Sequence, residues 1–389
     1  LYVAADWEAT LPKDTTTEQR DTLAKHLDAL LAQGPAVSPP AQDKALLAMT
    51  IGQAFDRTVA RYPQGEALVV RHQQQRYTWA QLAEAVDLHA RALLALGLQA
   101  GDRLGVWAPN GAEWFICQFA SAKVGVILVN INPAYRLSEL EYVLKQSACQ
   151  WLVCAGAFKT SNYHAMLQEL IPELAQQSIG ALDCERFADL RGVISLAVEP
   201  PQGFLPWSQL ATLAGEVEPQ QLRDREASLH VDQPVNIQYT SGTTGFPKGA
   251  TLSHRNILNN GYMVGESLGL TANDRLVIPV PLYHCFGMVM GNLGCVTHGT
   301  TMIYPAEAFD PGLTLQAVAE QRATGLYGVP TMLLAMLHHP QRAVVVEEQD
   351  ERAGAQLRGD LAQARARRRS GRLGCSGGRC VVERCEKVA

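Results

Sequence analysis

Short apolar segments alternate with helix-like segments over much of the chain. Between residues 101 and 155, apolar stretches that suit buried strands are separated by stretches with helical spacing of apolar residues. The same alternation returns between residues 276 and 337. Strands that alternate with helices build parallel sheets covered by helices, so the pattern predicts an α/β fold. The predicted strands cover 103–108, 126–130, 151–155, 276–280, 301–305 and 325–330, and the predicted helices 113–123, 163–176, 287–297, 313–322 and 331–337.

Polar residues at helix-start positions predict where three helices begin. A hydroxyl residue followed three positions later by Gln or Glu has the spacing of a capping box, which satisfies free N–H groups of the first turn. The pairs with this spacing are Thr50/Gln53, Thr78/Gln81 and Ser138/Glu141. The second helix is predicted to stop at Gly97, and the stretches ALVVR and QRYT before it predict a hairpin.

Composition narrows the class of protein. The 389 residues are 47% hydrophobic and 18% charged with a formal net charge of -5, which is typical of a globular protein and not of a nucleic-acid-binding one. No run approaches 18 uninterrupted apolar residues, so no transmembrane segment is predicted, although peripheral membrane contact stays open. Nine cysteines in a chain of this length do not form a disulfide framework, and a reducing cytoplasmic location is expected.

The chain divides into three parts by composition. Residues 1–49 read as a helix, with apolar spacing at 17–33, followed by a Pro-rich linker, and residues 50–342 carry the α/β pattern. Residues 343–389 are rich in Arg, Ala and Gly and have no aromatic residue, which predicts a disordered or out-of-frame tail. The first residue is Leu1 and the first methionine is Met49, so an incomplete or processed N-terminus is expected.

Residues 239–249, YTSGTTGFPKG, form the stretch with the clearest chemistry. Its three glycines allow close approach of the backbone to an anion, and its hydroxyl side chains stand beside backbone N–H groups. Lys248 adds a mobile cation. The pattern predicts a phosphate-binding loop. It is not a Walker loop, which needs Gly at Pro247 and a hydroxyl at Gly249.

This loop resembles the phosphate loop of the adenylate-forming (AMP-binding) superfamily, which includes acyl-CoA synthetases, luciferases and peptide-synthetase adenylation domains. The resemblance extends over residues 50–342. It includes the stretch 101–147 and the strings ATLSHRNILNN, PLYHCFG and GLYGVPTM, which fall in the family's order. In detail the chain is most similar to bacterial relatives of acyl-CoA synthetase family member 2, which activate medium-chain fatty acids.

The resemblance implies a fold and a reaction. The fold would be an incomplete large N-terminal domain with stacked αβαβα layers, without the small C-terminal domain. The reaction would be ATP- and Mg²⁺-dependent conversion of a medium- or long-chain fatty acid to acyl-adenylate, followed by thioester formation with CoA. Two alternatives stay open: a non-catalytic remnant that binds nucleotide, and a ligase for an aryl or other carboxylic acid.

The resemblance also implies roles for individual residues. Lys248 and His284 would be catalytic, and no metal ligand is assigned. An ordinary core role remains open for His284 and for the pocket residues. The residues implied to hold the ATP phosphates are Thr240, Ser241, Gly242, Thr243, Thr244, Gly245 and Lys248, and those implied to line the acyl pocket are His284, Tyr327, Gly328, Val329 and Pro330.

Several motifs of the family do not occur after residue 342. These are an aromatic-Gly-x-Thr-Glu motif, an aspartate for the ribose hydroxyls and a C-terminal lysine. A frame shift near residue 342 would explain this, and the chain by itself is expected to be inactive. A sheet cut before its later strands is also expected to expose an apolar face and a strand edge, which predicts low solubility.

Overall fold

The computed structural model describes residues 45–240 and 247–341. The chain forms two compact units, 1–46 and 47–389, and the description below concerns the second. The helix predicted at 17–33 and the tail from 343 lie outside the described residues. The strands are β1 Glu66–Val70, β2 Gln75–Thr78, β3 Arg103–Trp107, β4 Ile127–Asn130, β5 Trp151–Cys154, β6 Ala157–Phe158, β7 Ser161–Asn162, β8 Gly192–Ser195, β9 Phe204–Pro206, β10 Pro234–Thr240, β11 Lys248–Ser253, β12 Arg275–Val277, β13 Thr301–Tyr304 and β14 Gly325–Leu326.

Eleven α-helices connect these strands in the described part of the chain. They are α1 Ile51–Arg61, α2 Trp79–Ala95, α3 Ala112–Val124, α4 Leu137–Ser147, α5 Tyr163–Leu170, α6 Leu210–Ala214, α7 Pro219–Ala227, α8 His254–Leu268, α9 Gly294–His298, α10 Pro311–Glu320 and α11 Pro330–Leu337. A π-helical segment, Phe286–Leu293, leads directly into α9.

Twelve of these strands form two large sheets, and β6 and β7 pair antiparallel as a small third sheet. The seven-stranded sheet has the order β11-β10-β4-β3-β5-β8-β9, and the five-stranded sheet the order β14-β12-β13-β1-β2. All neighbours in the two large sheets are parallel except the edge strands β11 and β2, which pair antiparallel with β10 and β1. The predicted hairpin is therefore β1–β2, and the predicted α/β class is confirmed.

Two helices lie between the sheets and form much of the core. Helix α2 packs against β1 and β2 of one sheet, α3 packs against β3 and β4 of the other, and the two helices pack on each other. Nearly every residue of α3 is buried, which explains its lack of a polar face. Phe119 on α3 packs against Phe55 of α1 with ring centroids 5.0 Å apart.

Two of the three predicted caps are confirmed. The hydroxyl of Thr50 accepts from the backbone N–H of Gln53, and the same box is formed by Thr78 and Gln81. The prediction for Ser138 is wrong, because α4 begins at Leu137. There the backbone N–H of Arg136 donates to the Glu139 carboxylate at 3.2 Å, so Ser138 lies inside the first turn.

Several elements are shorter than predicted, and proline explains most of the difference. The strand predicted over 276–280 ends at Val277, because Pro279 and Pro281 lack the N–H groups that a ladder requires. The helix predicted over 163–176 ends at Leu170, before Pro172 begins a 3₁₀ turn. The strand predicted over 325–330 is confined to β14, since Pro330 already begins α11.

Candidate functional site

The two ends of the predicted phosphate loop lie side by side. Thr240, the last residue of β10, pairs in antiparallel register with Lys248, the first residue of β11. Both residues are exposed. The chain between them therefore leaves and re-enters the sheet at one point on its edge. The remaining predicted phosphate-binding residues, Ser241, Gly242, Thr243, Thr244 and Gly245, lie outside the described residues.

A pair of buried amides lies two residues before this point. Gln238 of β10 is in register with Asn130, which ends the parallel neighbour β4. The Nδ2 of Asn130 donates to Oε1 of Gln238 at 3.0 Å and to the carbonyl oxygen of Tyr283 at 3.0 Å. The Nε2 of Gln238 donates to the same carbonyl at 2.9 Å. Two amides from neighbouring strands thus hold the residue that precedes His284.

A third buried amide holds the same loop further upstream. Asn110 donates Nδ2 to the carbonyl of Val280 at 3.0 Å and accepts from the backbone N–H of Leu282 at 2.8 Å. The side chains of Ile278, Val280 and Leu282 are buried, so apolar packing anchors the loop as well. The loop 278–284 is therefore fixed in place before it presents His284 at the surface.

The imidazole of His284 is exposed, and one of its nitrogens already has a partner. Its Nδ1 accepts from the backbone N–H of Phe286 at 3.1 Å and lies 3.6 Å from Sγ of Cys285. Because a backbone N–H only donates, Nδ1 holds the lone pair and the neutral ring carries its proton on Nε2. His284 can therefore donate a hydrogen bond from Nε2 to an anionic or carbonyl oxygen.

Tyr327 lies beside the π-helical segment that follows His284. Its hydroxyl donates to the carbonyl of Met290 at 3.1 Å, and its ring lies 4.9 Å from the ring of Phe286. Burial raises the pKa of Tyr327 well above its ordinary value, so the phenol stays protonated.

The structure brings some of the predicted site residues together and separates others. Thr240 and Lys248 are joined to the His284 loop through Gln238, and Tyr327 contacts the segment that begins two residues after His284. Val329 and Pro330 are exposed at the start of α11 and form an open surface. Gly328 packs against Leu333 of that helix, since a Cβ there would lie 3.2 Å from it.

Two open cavities in the described part of the chain do not include any of these residues. One, of about 470 Å³, is lined by residues between Gln176 and Gln209, and the other, of about 460 Å³, by residues between Leu94 and Ser228. Both are open surface depressions, and neither is lined by a residue of the phosphate loop or of the His284 loop. The chemistry of the candidate site therefore does not depend on either cavity.

Sequence reasoning missed the three amides Asn110, Asn130 and Gln238. A signal was present in two of them, because Asn130 and Gln238 each follow an apolar strand stretch near its carboxyl end. In parallel sheets, side chains at this end meet at one edge, where ligands usually bind. What the sequence did not show was that both amides share one backbone carbonyl.

The chain matches the AMP-binding enzyme family over residues 55–387. It belongs to that family. The rat mitochondrial medium-chain acyl-CoA ligase ACSF2 is 44% identical over 302 residues, which cover 77% of this chain and 49% of the rat protein. The Bacillus subtilis protein YngI, provisionally assigned as an acyl-CoA synthetase, is 41% identical over 295 residues, covering 76% of this chain and 54% of that protein.

A solved structure shares the fold. The inhibitor-bound N-terminal domain of FACL13 from Mycobacterium tuberculosis superposes with a TM-score of 0.61 at 24% identity, covering 76% of this chain and 66% of that one. The family match continues past residue 342, where the sequence analysis ended the resemblance, and the boundary there stays a prediction. The chain spans about half the length of the curated relatives that it matches.

None of the helices described in residues 45–240 and 247–341 is both long and apolar enough to cross a membrane.

Proposed function

We propose that this protein is an AMP-forming fatty acyl-CoA synthetase. A carboxylate oxygen of the fatty acid would attack the α-phosphorus of ATP, and the bond to the β-phosphate oxygen would break to release pyrophosphate. The thiol of CoA would then attack the acyl carbonyl, release AMP and lose its proton. The observation that carries this proposal is the Thr240–Lys248 pairing beside the amide-held His284 loop.

The residues at the site suit the phosphate end of this reaction. Lys248 is exposed at the mouth of the loop, where its ammonium group would offset charge on the departing pyrophosphate. Thr240 presents a hydroxyl group at the same point. His284, with its proton on Nε2, would donate to an oxygen of the substrate carboxylate and orient it for attack.

Magnesium fits the donor chemistry of this edge of the sheet. Mg²⁺ takes oxygen ligands and is usually held by one or two protein groups together with substrate phosphates. The hydroxyl of Thr240 is such a donor, whereas Lys248 carries no lone pair when protonated. When bound, the ion neutralises charge on the phosphates. Thr240 would therefore hold the ion and Lys248 the phosphate oxygens.

The apolar side of the site supports a fatty acid as the carboxylic substrate. The partly exposed side chains of Phe286, Met290 and Tyr327 place apolar surface directly after the His284 loop. Methionine adapts to flexible apolar ligands. The rat relative is named for medium-chain acyl groups, and we propose a medium- or long-chain fatty acid here. The cytoplasm remains the proposed location, with peripheral membrane contact as a further possibility.

A second candidate is binding of nucleotide without turnover. It rests on the Thr240–Lys248 pairing at the base of the phosphate loop, which binding alone would use. Both candidates use the phosphate loop to bind ATP. Only the first forms acyl-adenylate when the carboxylic acid is present. ATP–pyrophosphate exchange separates the two, because only a chain that forms the acyl-adenylate returns labelled pyrophosphate to ATP.

The test combines exchange with calorimetry on the full chain. An AMP-forming synthetase requires that octanoate, and not benzoate, supports exchange, whereas a chain that is inactive by itself binds MgATP without exchange. Lys248→Gln is expected to weaken MgATP binding about 10- to 100-fold, since a hydrogen bond to a charged group contributes about 1.5–3 kcal/mol. Lys159→Gln, at another exposed lysine, is the matched control and is expected to bind as the wild type does.

Each result assigns a function. Exchange with octanoate and loss of binding in Lys248→Gln support the synthetase. Binding without exchange supports the nucleotide-binding remnant, and exchange with benzoate alone points to an aryl acid ligase. Equal ATP affinity in both lysine variants would rule out the phosphate role of Lys248.

A further inference from the structure

The buried amide of Gln238 connects two parts of the candidate site that are far apart in sequence. Gln238 belongs to β10, the strand from which the phosphate loop leaves, and Thr240 lies two residues further on. Its Nε2 donates to the carbonyl of Tyr283, and the next residue along that chain is His284. A single side chain thus joins the strand before the phosphate loop to the loop that presents the histidine.

The bond is one part of a chain of buried amides. Asn236 donates Nδ2 to Oδ1 of Asn130 at 2.8 Å, Asn130 donates to Gln238, and both Asn130 and Gln238 donate to the Tyr283 carbonyl. Both acceptor positions of that carbonyl are therefore occupied, whereas the Oδ1 of Asn236 has no partner. Rotation of the Gln238 amide would break its bonds to Asn130 and to the Tyr283 carbonyl, which is costly in an apolar core.

The strand register defines how this arrangement moves. Gln238 and Asn130 are in register on parallel strands, and β10 also pairs with β11 on its other side. A displacement of the carboxyl end of β10, where the phosphate loop begins, carries the Gln238 amide with it. The Tyr283 carbonyl then has to follow or lose a hydrogen bond.

We propose that Gln238 is a positioning residue that couples occupancy of the phosphate loop to the position of His284. This inference rests on the proposed function, since it assumes that the loop binds a phosphate-containing ligand. Gln238 itself touches neither substrate nor nucleotide. Its effect is to place the His284 imidazole where a carboxylate meets the α-phosphate.

The test follows the His284 ring by NMR in the full chain. The Cε1–H signal of His284 is assigned by its loss in His284→Gln and is recorded with and without MgATP. Gln238→Met keeps the length of the side chain and removes both polar atoms. We expect the His284 signal of the ligand-free variant to be displaced or broadened, and its response to MgATP to be lost.

A matched control separates positioning from loss of stability. Asn259 is equally buried and accepts from the backbone N–H of Leu47 at 2.7 Å while donating to the Leu47 carbonyl at 3.1 Å. Asn259→Leu removes a comparable set of buried hydrogen bonds on α8. It is expected to lower the melting temperature and to leave the His284 signal unchanged.

A second variant keeps the proposal testable if Gln238→Met does not fold. Gln238→Asn retains a buried amide but is one methylene shorter, so its N–H does not reach the Tyr283 carbonyl. It is expected to displace the His284 signal in the same direction. In exchange assays either variant is expected to lower kcat about tenfold with little change in the KM for ATP, as for a group that acts only in the transition state.

The outcomes for this proposal and for the proposed function are distinct. An unchanged His284 signal in ligand-free Gln238→Met, or the same change in Asn259→Leu, overturns the positioning role. A wild-type chain whose His284 signal ignores MgATP contradicts the coupling and, with calorimetry showing no binding, the proposed function. The comparison of ligand-free spectra still decides whether Gln238 places His284.

Discussion

The backbone N–H of Ile51 donates to Nδ1 of His254 at 3.1 Å, which joins the first residue of α1 to the first residue of α8. The imidazole is fully buried, and burial lowers the pKa of His254 to about 4. Protonation of Nδ1 would remove the acceptor for Ile51. The histidine is therefore neutral at ordinary pH, and its protonation opposes folding.

This contact predicts an acid-sensitive stability. The unfolded chain takes up a proton near pH 6.5 and the folded chain only near pH 4, so the contribution of His254 is present above pH 6.5 and is lost as the pH falls toward 4. The loss amounts to about 3 kcal/mol. Urea unfolding at several pH values is expected to show this slope in the wild type. His254→Asn, which keeps an acceptor and does not titrate, is expected to lack it, and equal slopes would contradict the assignment.

The cluster of charges around Lys123 predicts that stability falls as the pH rises, which is the opposite of the effect at His254. The Lys123 side chain is 3% exposed and its Nζ lies 2.6 Å from Asp87, 2.8 Å from Asp56 and 3.2 Å from Glu226. One cation thus faces three carboxylates, and burial raises the pKa of Glu226 to about 7. Between pH 4.5 and 7 the folded chain holds a proton that the unfolded chain does not, so this contribution falls as the pH rises through 7.

The variant Glu226→Gln tests this sign. It is expected to unfold at a higher urea concentration than the wild type at pH 8, by about 1–3 kcal/mol in the free energy of unfolding, and to match it below pH 4.5. Glu84→Gln, at an exposed position on α2, serves as the control and is expected to change stability by less than about 0.5 kcal/mol. A Glu226→Gln chain that is less stable at pH 8 would show that the carboxylate is needed as an ion.

The partly exposed Cys285 is expected to react with a thiol reagent faster than the buried cysteines do. It is the one partly exposed cysteine among the residues that the structure describes, whereas Cys117, Cys149, Cys154, Cys184 and Cys295 are buried. Burial also raises the pKa of most of these thiols. Iodoacetamide is expected to modify Cys285 at least about tenfold faster than the buried five, which react only when the fold opens.

Peptide mapping by mass spectrometry provides the measurement for Cys285. Octanoate with MgATP is expected to slow the labelling, because Cys285 adjoins the proposed carboxylate donor His284. Cys285→Ser is the control for the identity of the modified peptide. Faster reaction at any of the five buried cysteines would contradict the described packing.

An apolar stripe on α11 predicts self-association. Val329, Leu333 and Leu337 are 37%, 36% and 40% exposed and are spaced four residues apart, so they lie along one face of the helix. Sedimentation velocity is expected to show association that rises with concentration.

Charged substitutions on the stripe provide the test. Leu333→Lys with Leu337→Lys is expected to weaken association at least about tenfold, since burial of each CH₂ contributes about 0.8 kcal/mol. Val198→Lys replaces a single apolar residue that is 93% exposed elsewhere, and is expected to have no effect. If all three chains associate equally, the stripe is not the contact surface.

Local sequence patterns predicted the elements well where a single interaction decides them. The caps at Thr50 and Thr78 need only one side chain and the backbone three residues away. The cap at Ser138 failed because Glu139 was able to accept from Arg136 one position earlier. Competition between neighbouring polar residues of similar reach is decided by fractions of a kcal/mol, which spacing does not show.

The π-helical segment was out of reach of the sequence analysis because it depends on contacts between distant parts of the chain. A Cβ at Gly261 of α8 would lie 2.8 Å from the carbonyl of Val289, and one at Gly287 would clash with the carbonyl of Pro281. These close backbone approaches shape the turns around Phe286–Leu293.

The register of β10 decides which insertions and deletions would disturb its pairing with β4 and β11. Residues added or removed between Thr240 and Lys248 change only the segment outside the ladder, since the pairing at its base stays as it is. One residue added within β10 turns Gln238 to the opposite face of the sheet and replaces it with a neighbour that does not meet Asn130. Variation in loop length is thus compatible with an intact strand ladder, and variation in strand length is not.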